Sequence, residues 1–283
     1  MDRFFRSWDL VMKSFGVLMS DKELLVFPIS SAIGCVTVSV WIGSVFAFTY
    51  PQQLSALAES GPHRPALTQE MWICLFFLYL ANYFIVVFFN VGLVCAASDR
   101  LAGGHASINQ GLQVAWARKG KIFQWALVAA TFGILMNMVE KRAGWLGRLI
   151  ARMIGAAWTL ATFFVVPLLA AEDIGPVDAF HRSADLFKQT WGEEVVGGFS
   201  FGLIFVMLSI PGIALPFFLG RAFGPTGVMA GFAMMVVYWL LLSAISSAVH
   251  GIFMAALYRY ATTKKASATF GLGDFSSAWQ PKP

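Results

Sequence analysis

The chain has 283 residues, 58% hydrophobic and 12% charged, with a formal net charge of +5 and a mean hydropathy of +0.70. Soluble domains carry about 25% charged residues, so this composition excludes an ordinary soluble domain and places the chain among membrane proteins. The basic residues stand at the ends of apolar runs and form no continuous face, which argues against nucleic acid and for membrane orientation and anionic headgroups.

The first predicted element is an amphipathic helix over residues 2–18. Phe4, Trp8, Val11, Phe15 and Leu18 share one face, and Arg3, Arg6, Asp9 and Lys13 fall mainly on the other. Such a helix suits the headgroup plane, or packing on the protein's own spans. Leu24–Tyr50 is the first predicted span, long enough for a tilted crossing, with Pro28 near its start where proline costs little. A polar loop over 51–70 follows, then a second span, Met71–Ala97, entered at Trp72. After a Gly103-Gly104 turn, Ser107 is an N-cap for a second amphipathic helix carrying Ile108, Gly111, Leu112, Ala115 and Trp116. Ile122–Val139 is a short third span. The basic segment Glu140–Arg152 leads into the fourth, about Leu149–Ala171, which Pro167 is expected to kink.

Pro176 opens the third amphipathic helix, 176–191, with Phe180, Ala184, Phe187 and Trp191 at helical spacing. The fifth span, Val195–Leu219, is expected to break at Pro211-Gly212 and Pro216. Gly224-Pro225 and Gly227 turn the chain into a sixth, Val228–Tyr258. Within the fifth span Gly198 and Gly202 make a small-x-x-x-small pair. The segment 263–283 reads as a flexible polar tail. No cleavable signal peptide is expected, because the first long apolar run exceeds an h-region.

The pattern repeats. Arg6-Ser7-Trp8-Asp9-Leu10 matches Arg182-Ser183-Ala184-Asp185-Leu186, and Gly92…Ala96-Ala97…Arg100 matches Gly251…Ala255-Ala256…Arg259. The expected fold is therefore all-α: one integral membrane domain over 1–262, with six spans in three hairpins. The repeats cover about 2–100, 105–173 and 176–260, each introduced by an interfacial amphipathic helix. Six crossings put fourteen Lys and Arg on the side of the termini and six on the other. The termini are thus expected to be cytoplasmic. Four of those six lie in 140–152, the one segment at odds with this orientation.

Chemistry-bearing residues are sparse. No Walker loop, nucleophile elbow, HExxH or carboxylate pair occurs. No enzyme activity, catalytic residue, metal or cofactor is therefore expected. Cys35, Cys74 and Cys95 lie inside apolar runs without ligand spacing and read as packing residues. At depth, His250 near Ser243, Ser246 and Ser247, together with Asn82, Asn90 and Asn137, are the polar candidates. They serve either a pathway or hydrogen bonds between helices. Trp8, Trp116 and Trp191, with Arg6 and Arg182, are expected as interfacial anchors.

Leu24-Leu25-Val26-Phe27-Pro28, Phe88-Phe89-Asn90, Thr162-Phe163-Phe164-Val165-Val166-Pro167, Gly175-Pro176 and the run from Arg182-Ser183 to Thr190-Trp191-Gly192-Glu193 resemble the signature of an uncharacterised family of bacterial six-span membrane proteins, a domain of unknown function. The layout is similar to the membrane domain that accompanies some glycerophosphodiester phosphodiesterases. The resemblance spans about residues 5–260. It implies topology and a prokaryotic inner membrane, and it assigns no activity. The functional expectation is a non-catalytic scaffold or subunit that binds lipid or a partner, either a second copy or another membrane subunit. A channel or transporter-like protein for a small solute or lipid is the alternative.

Overall fold

Local chemistry sets the ends of the helices. The computed structural model describes residues 2–52, 68–190, 201–263 and 270, with the side chains of 2–7, 189–190 and 201–203 outside that description. Its helices are α1 (Asp2–Ser20), α2 (Val26–Thr49), α3 (Gln69–Leu101), α4 (Ile108–Ala117), α5 (Lys119–Arg142), α6 (Trp145–Ala161), α7 (Val165–Ala171), α8 (Pro176–Thr190) and α9 (Phe201–Thr263), with a 3-10 turn at Lys22–Leu25. No strand occurs among the described residues. α3 ends in a Schellman arrangement. Gly104 N–H donates to Asp99 O at 3.0 Å and Gly103 N–H to Arg100 O at 3.0 Å. Gly103 has φ of 95°, a conformation that glycine adopts at little cost. Ser107 caps α4 as expected, its Oγ accepting from Gln110 N–H at 3.3 Å.

Five helices are long and apolar enough to cross a membrane: Lys22–Thr49, Gln69–Leu101, Lys119–Arg142, Trp145–Ala171 and Ile204–Thr263. α2 runs antiparallel to α3. A Cβ on Gly34 would meet Ile85, one on Gly92 would meet Phe27, and Ser39 bonds Asn82. α3 pairs with α5 in the same antiparallel sense, through Phe84–Phe123 and Tyr79 against Gly133. α9 doubles back at Gly224 (φ 64°, ψ −146°). Tyr238 Oη then donates to Leu208 O at 2.5 Å, and Trp239 Nε1 to Ser209 O at 3.3 Å. A Cβ at Gly231 would run into Pro216, and one at Gly227 into Leu219.

Of the two expected breaks, one is absent and one is present. The fifth predicted span stays helical through Pro211 and Pro216, and the only non-helical residue within Phe201–Thr263 is Gly224. Pro211 removes from the ladder the N–H that would serve Met207 O; Tyr238 and Trp239 donate to the next two carbonyls, Leu208 O and Ser209 O. The fourth span does break. α6 stops at Ala161 and α7 starts at Val165, because Pro167 cannot donate to Phe163 O four residues back and crowds it. One amide freed there is collected from another helix. Phe164 N–H donates to the Ser183 hydroxyl of α8 at 2.9 Å, with both groups buried.

The main core sits at one end of the bundle. It gathers Leu10, Val11 and Leu18 of α1, Phe27 of α2, Val87–Ala97 of α3, Ala115 of α4, Phe164–Leu169, Ala179 and Phe187 of α8, and Ile252–Leu257 of α9. The three amphipathic helices α1, α4 and α8 all contribute. The opposite end is open, with Phe48 88%, Trp145 74%, Phe217 72% and Met229 74% exposed. Phe270 is fully buried in the same core. Within the segment expected to be a flexible polar tail, Phe270 is the described residue beyond Thr263, and its phenyl ring gains more from burial than from water. The rest of the tail beyond Thr263, the loop 53–67, Trp191, Gly198 and the side chains of Gly202's neighbours and Arg6 lie outside the described residues.

The amphipathic helices follow their expected stripes in part. α1 buries Leu10, Val11, Ser14, Val17 and Leu18 and leaves Trp8 41% exposed. α8 buries Ala179, Ser183, Leu186 and Phe187, with Ala184 only partly covered. The packed faces keep Val11, Leu18 and Phe187 of the expected stripes, with Phe15 and Phe180 packed against the core, and add the fully buried Ser14 and Ser183.

Candidate functional site

The densest polar assembly lies where α7, α8 and α9 meet. Glu172, just past α7, accepts from Arg182 of α8, with Arg182 Nε 2.9 Å from Glu172 Oε1 and 2.8 Å from Oε2. It accepts also from the Tyr258 hydroxyl of α9 at 3.0 Å. Three consecutive helices are thus tied at one carboxylate. Beside it the end of α7 is closed by cations. Arg118 donates to Leu169 O at 2.6 Å and to Ala171 O at 3.4 Å. Lys121 donates to Asp173 O at 2.7 Å and pairs with Asp173 Oδ1 at 2.6 Å. Basic side chains at a helix C-terminus satisfy its last carbonyls and oppose its dipole. The Lys121 ammonium, by hydrogen bond and by charge, holds the exposed Asp173 carboxyl below its usual range.

Asp173 is exposed but engaged, and Glu172 is half-buried between two donors. Arg182, expected as a headgroup anchor, points its guanidinium at Glu172 rather than only outward. The signal available in the sequence was Arg182 beside Ser183 in the repeated motif. Both are used, one for the carboxylate and one for the broken backbone. A second polar pair lies nearby, where Arg100 Nε is 2.8 Å from Asp21 Oδ2 and ties α3 to the turn after α1.

The deep polar candidates do not converge. Asn82 is spent between helices: its Nδ2 donates to Ser39 Oγ at 3.1 Å and to Leu78 O at 2.8 Å, and Cys35 Sγ donates to Asn82 O at 3.8 Å. Asn90 is half-buried on α3. His250 is on the exposed side of α9, between buried Val249 and Gly251, and Ser246 is half-buried one turn before it. Asn137 is exposed and lines a groove between α3 and α5 of about 360 Å³, with Trp72, Leu75, Phe76, Tyr79, Gly133 and Ile134. A second groove, of about 470 Å³, lies between α2 and α3 and is lined by Trp41, Phe46, Tyr50, Glu70, Cys74 and Phe77 among others. Trp116 is 63% exposed, with Lys119 Nζ 4.1 Å from its ring centroid. Among the described residues no group of three or more His, Cys, Asp or Glu could hold a metal ion, and the three cysteines are free.

Fold and site together define a class: an all-helical protein whose long apolar helices are compatible with a multi-pass membrane protein. Residues 69–268 match the family of unknown function DUF6159, well over half of the chain, and the chain belongs to that family. No curated protein and no solved structure matches it.

Proposed function

We propose that this protein is a non-catalytic integral membrane scaffold that binds lipid or a membrane partner. It crosses the bilayer six times in three hairpins. The sixth crossing arises because α9 doubles back at Gly224. α1, α4 and α8 lie at the cytoplasmic face of a prokaryotic inner membrane, with both termini on that side. The layout stays similar to the membrane domain that accompanies some glycerophosphodiester phosphodiesterases, without their chemistry.

One observation carries the reading. Polar groups at depth are consumed in holding helices to one another, as Asn82 is by Ser39 and Leu78, and as Leu208 O and Ser209 O are by Tyr238 and Trp239. A solute pathway needs such groups to face a common lumen. His250, Asn82 and Asn137 instead stand at three separate places on the fold. Purified protein in proteoliposomes is expected to give no solute flux above empty vesicles, and His250→Ala and Asn90→Ala are expected to leave the cellular phenotype unchanged. Flux abolished by either substitution, with folding intact, would favour a channel or transporter and reject the scaffold.

A further inference from the structure

Two features meet at the turn between α5 and α6. The first is the groove between α3 and α5, whose walls include Leu75, Phe76 and Gly133. Its volume of about 360 Å³ falls within the range of small-molecule pockets, roughly 300–1,000 Å³. The second is basic. Lys141, Arg142, Arg148 and Arg152 are all exposed within one short stretch. The only acid among them, Glu140, has Arg152 Nε 3.9 Å away. The two features join at Trp72, which lines the groove and carries Lys141 Nζ 5.7 Å from its ring centroid. Asn137 stands one turn before Lys141, on the same face of α5, so the groove grades from apolar wall to amide to cation.

We infer that this groove seats an acyl chain of one anionic phospholipid, whose phosphate is held by Lys141 and Arg142 and covered by Arg148 and Arg152. The inference rests on the membrane reading above. The apolar walls select an amphiphile over a soluble anion. Four cations against one carboxylate select an anionic headgroup, because a zwitterionic one would add an ammonium to a positive corner. The α2–α3 groove is the internal contrast. It is larger, about 470 Å³, yet the charged residue in its lining is the acidic Glu70, so it is expected to show no preference for anionic lipid. The four cations that conflict with the charge orientation of the spans thereby acquire a role of their own.

The test uses the full chain in detergent, partly delipidated and offered equal amounts of phosphatidylglycerol and phosphatidylcholine, with bound lipid counted by native mass spectrometry. The wild type is expected to retain one phosphatidylglycerol in preference. Lys141→Gln with Arg142→Gln, and Arg148→Gln with Arg152→Gln, should each weaken retention, by roughly fivefold per cation removed. Gly133→Phe fills the groove from α5 and Leu75→Trp from α3, and either should lower retention. Should one of these two misfold, the other carries the test. Equal retention of both lipids, retention unchanged when all four cations are removed, or retention unchanged by both groove-filling variants would each overturn the site. Failure of the membrane reading is separate: the protein would then leave the membrane in alkaline carbonate without detergent.

Discussion

Ser183 and Ser14 are both buried hydroxyls with one partner each, and they are not equivalent. Ser14 Oγ donates to Leu10 O of its own helix at 2.9 Å, a carbonyl already served by the helix ladder. Ser183 Oγ accepts from the buried Phe164 N–H at the α6–α7 break. Taking a buried donor's acceptor away costs about 1–3 kcal/mol. Ser183→Ala is therefore expected to lower the thermal unfolding midpoint in detergent clearly more than Ser14→Ala. Similar shifts for the two would show that the amide at the α6–α7 break finds another acceptor. Asp173 supplies a pH dependence. Lys121 depresses its folded pKa, so its contribution to stability is present above the unfolded value, ~3.9 for Asp, and is lost as pH falls through the folded value. Asp173→Asn should flatten the loss of stability in acid relative to wild type. An unchanged acid limb would mean that the Lys121 tie contributes nothing in solution.

Helices in this protein are stopped and joined by identifiable devices. Gly103 closes α3 with positive φ, Pro167 interrupts the fourth span, and Gly224 reverses α9. Gly224 has φ 64° and ψ −146°, a region that side chains with a Cβ avoid at a cost of order 1–3 kcal/mol. Nothing lies within 4 Å of a Cβ there, so Gly224→Ala tests backbone conformation without steric overlap. It should destabilise the fold by about that amount in chemical or thermal unfolding. A neutral substitution would show that the turn is made another way. Leu10 and Val11 of α1 and Leu186 and Phe187 of α8 stand at corresponding positions of the proposed repeat and are all buried.

For the whole molecule, the core lies at the end where α1, α4 and α8 gather, and the other end is open. Gly92 and Gly111 allow this closure. A Cβ on Gly111 would stand 2.6 Å from Gly92 O and 2.8 Å from Phe27 Cζ, so α3 and α4 touch backbone to backbone, with the Phe27 ring of α2 packed against both glycines. The six crossings proposed above would put the Ala143–Gly144 turn opposite the termini. A single cysteine at position 144, in a chain without its own three, is expected to react with an impermeant maleimide in intact cells. Labelling only after permeabilisation would sink the six-crossing topology and return the 140–152 cations to the cytoplasm.

The helical class, the positions of most apolar runs, the Ser107 cap, the Gly103 turn and the break at Pro167 were legible in the amino acids alone. Each depends on periodicity or on backbone chemistry within a few residues. The burial of Ser14 and Ser183 and the exposure of Trp8 were not, because a hydrophobic stripe is read from its large apolar residues while the neighbouring helices decide which hydroxyls are covered. The continuity of α9 through two prolines was not either. Nor were the contacts that this segment makes thirty residues on, where Tyr238 and Trp239 reach Leu208 O and Ser209 O. The Glu172–Arg182–Tyr258 junction and the cation beside the α3–α5 groove belong to the same kind. Their partners are brought together from separate helices, and only the packed chain sets such distances.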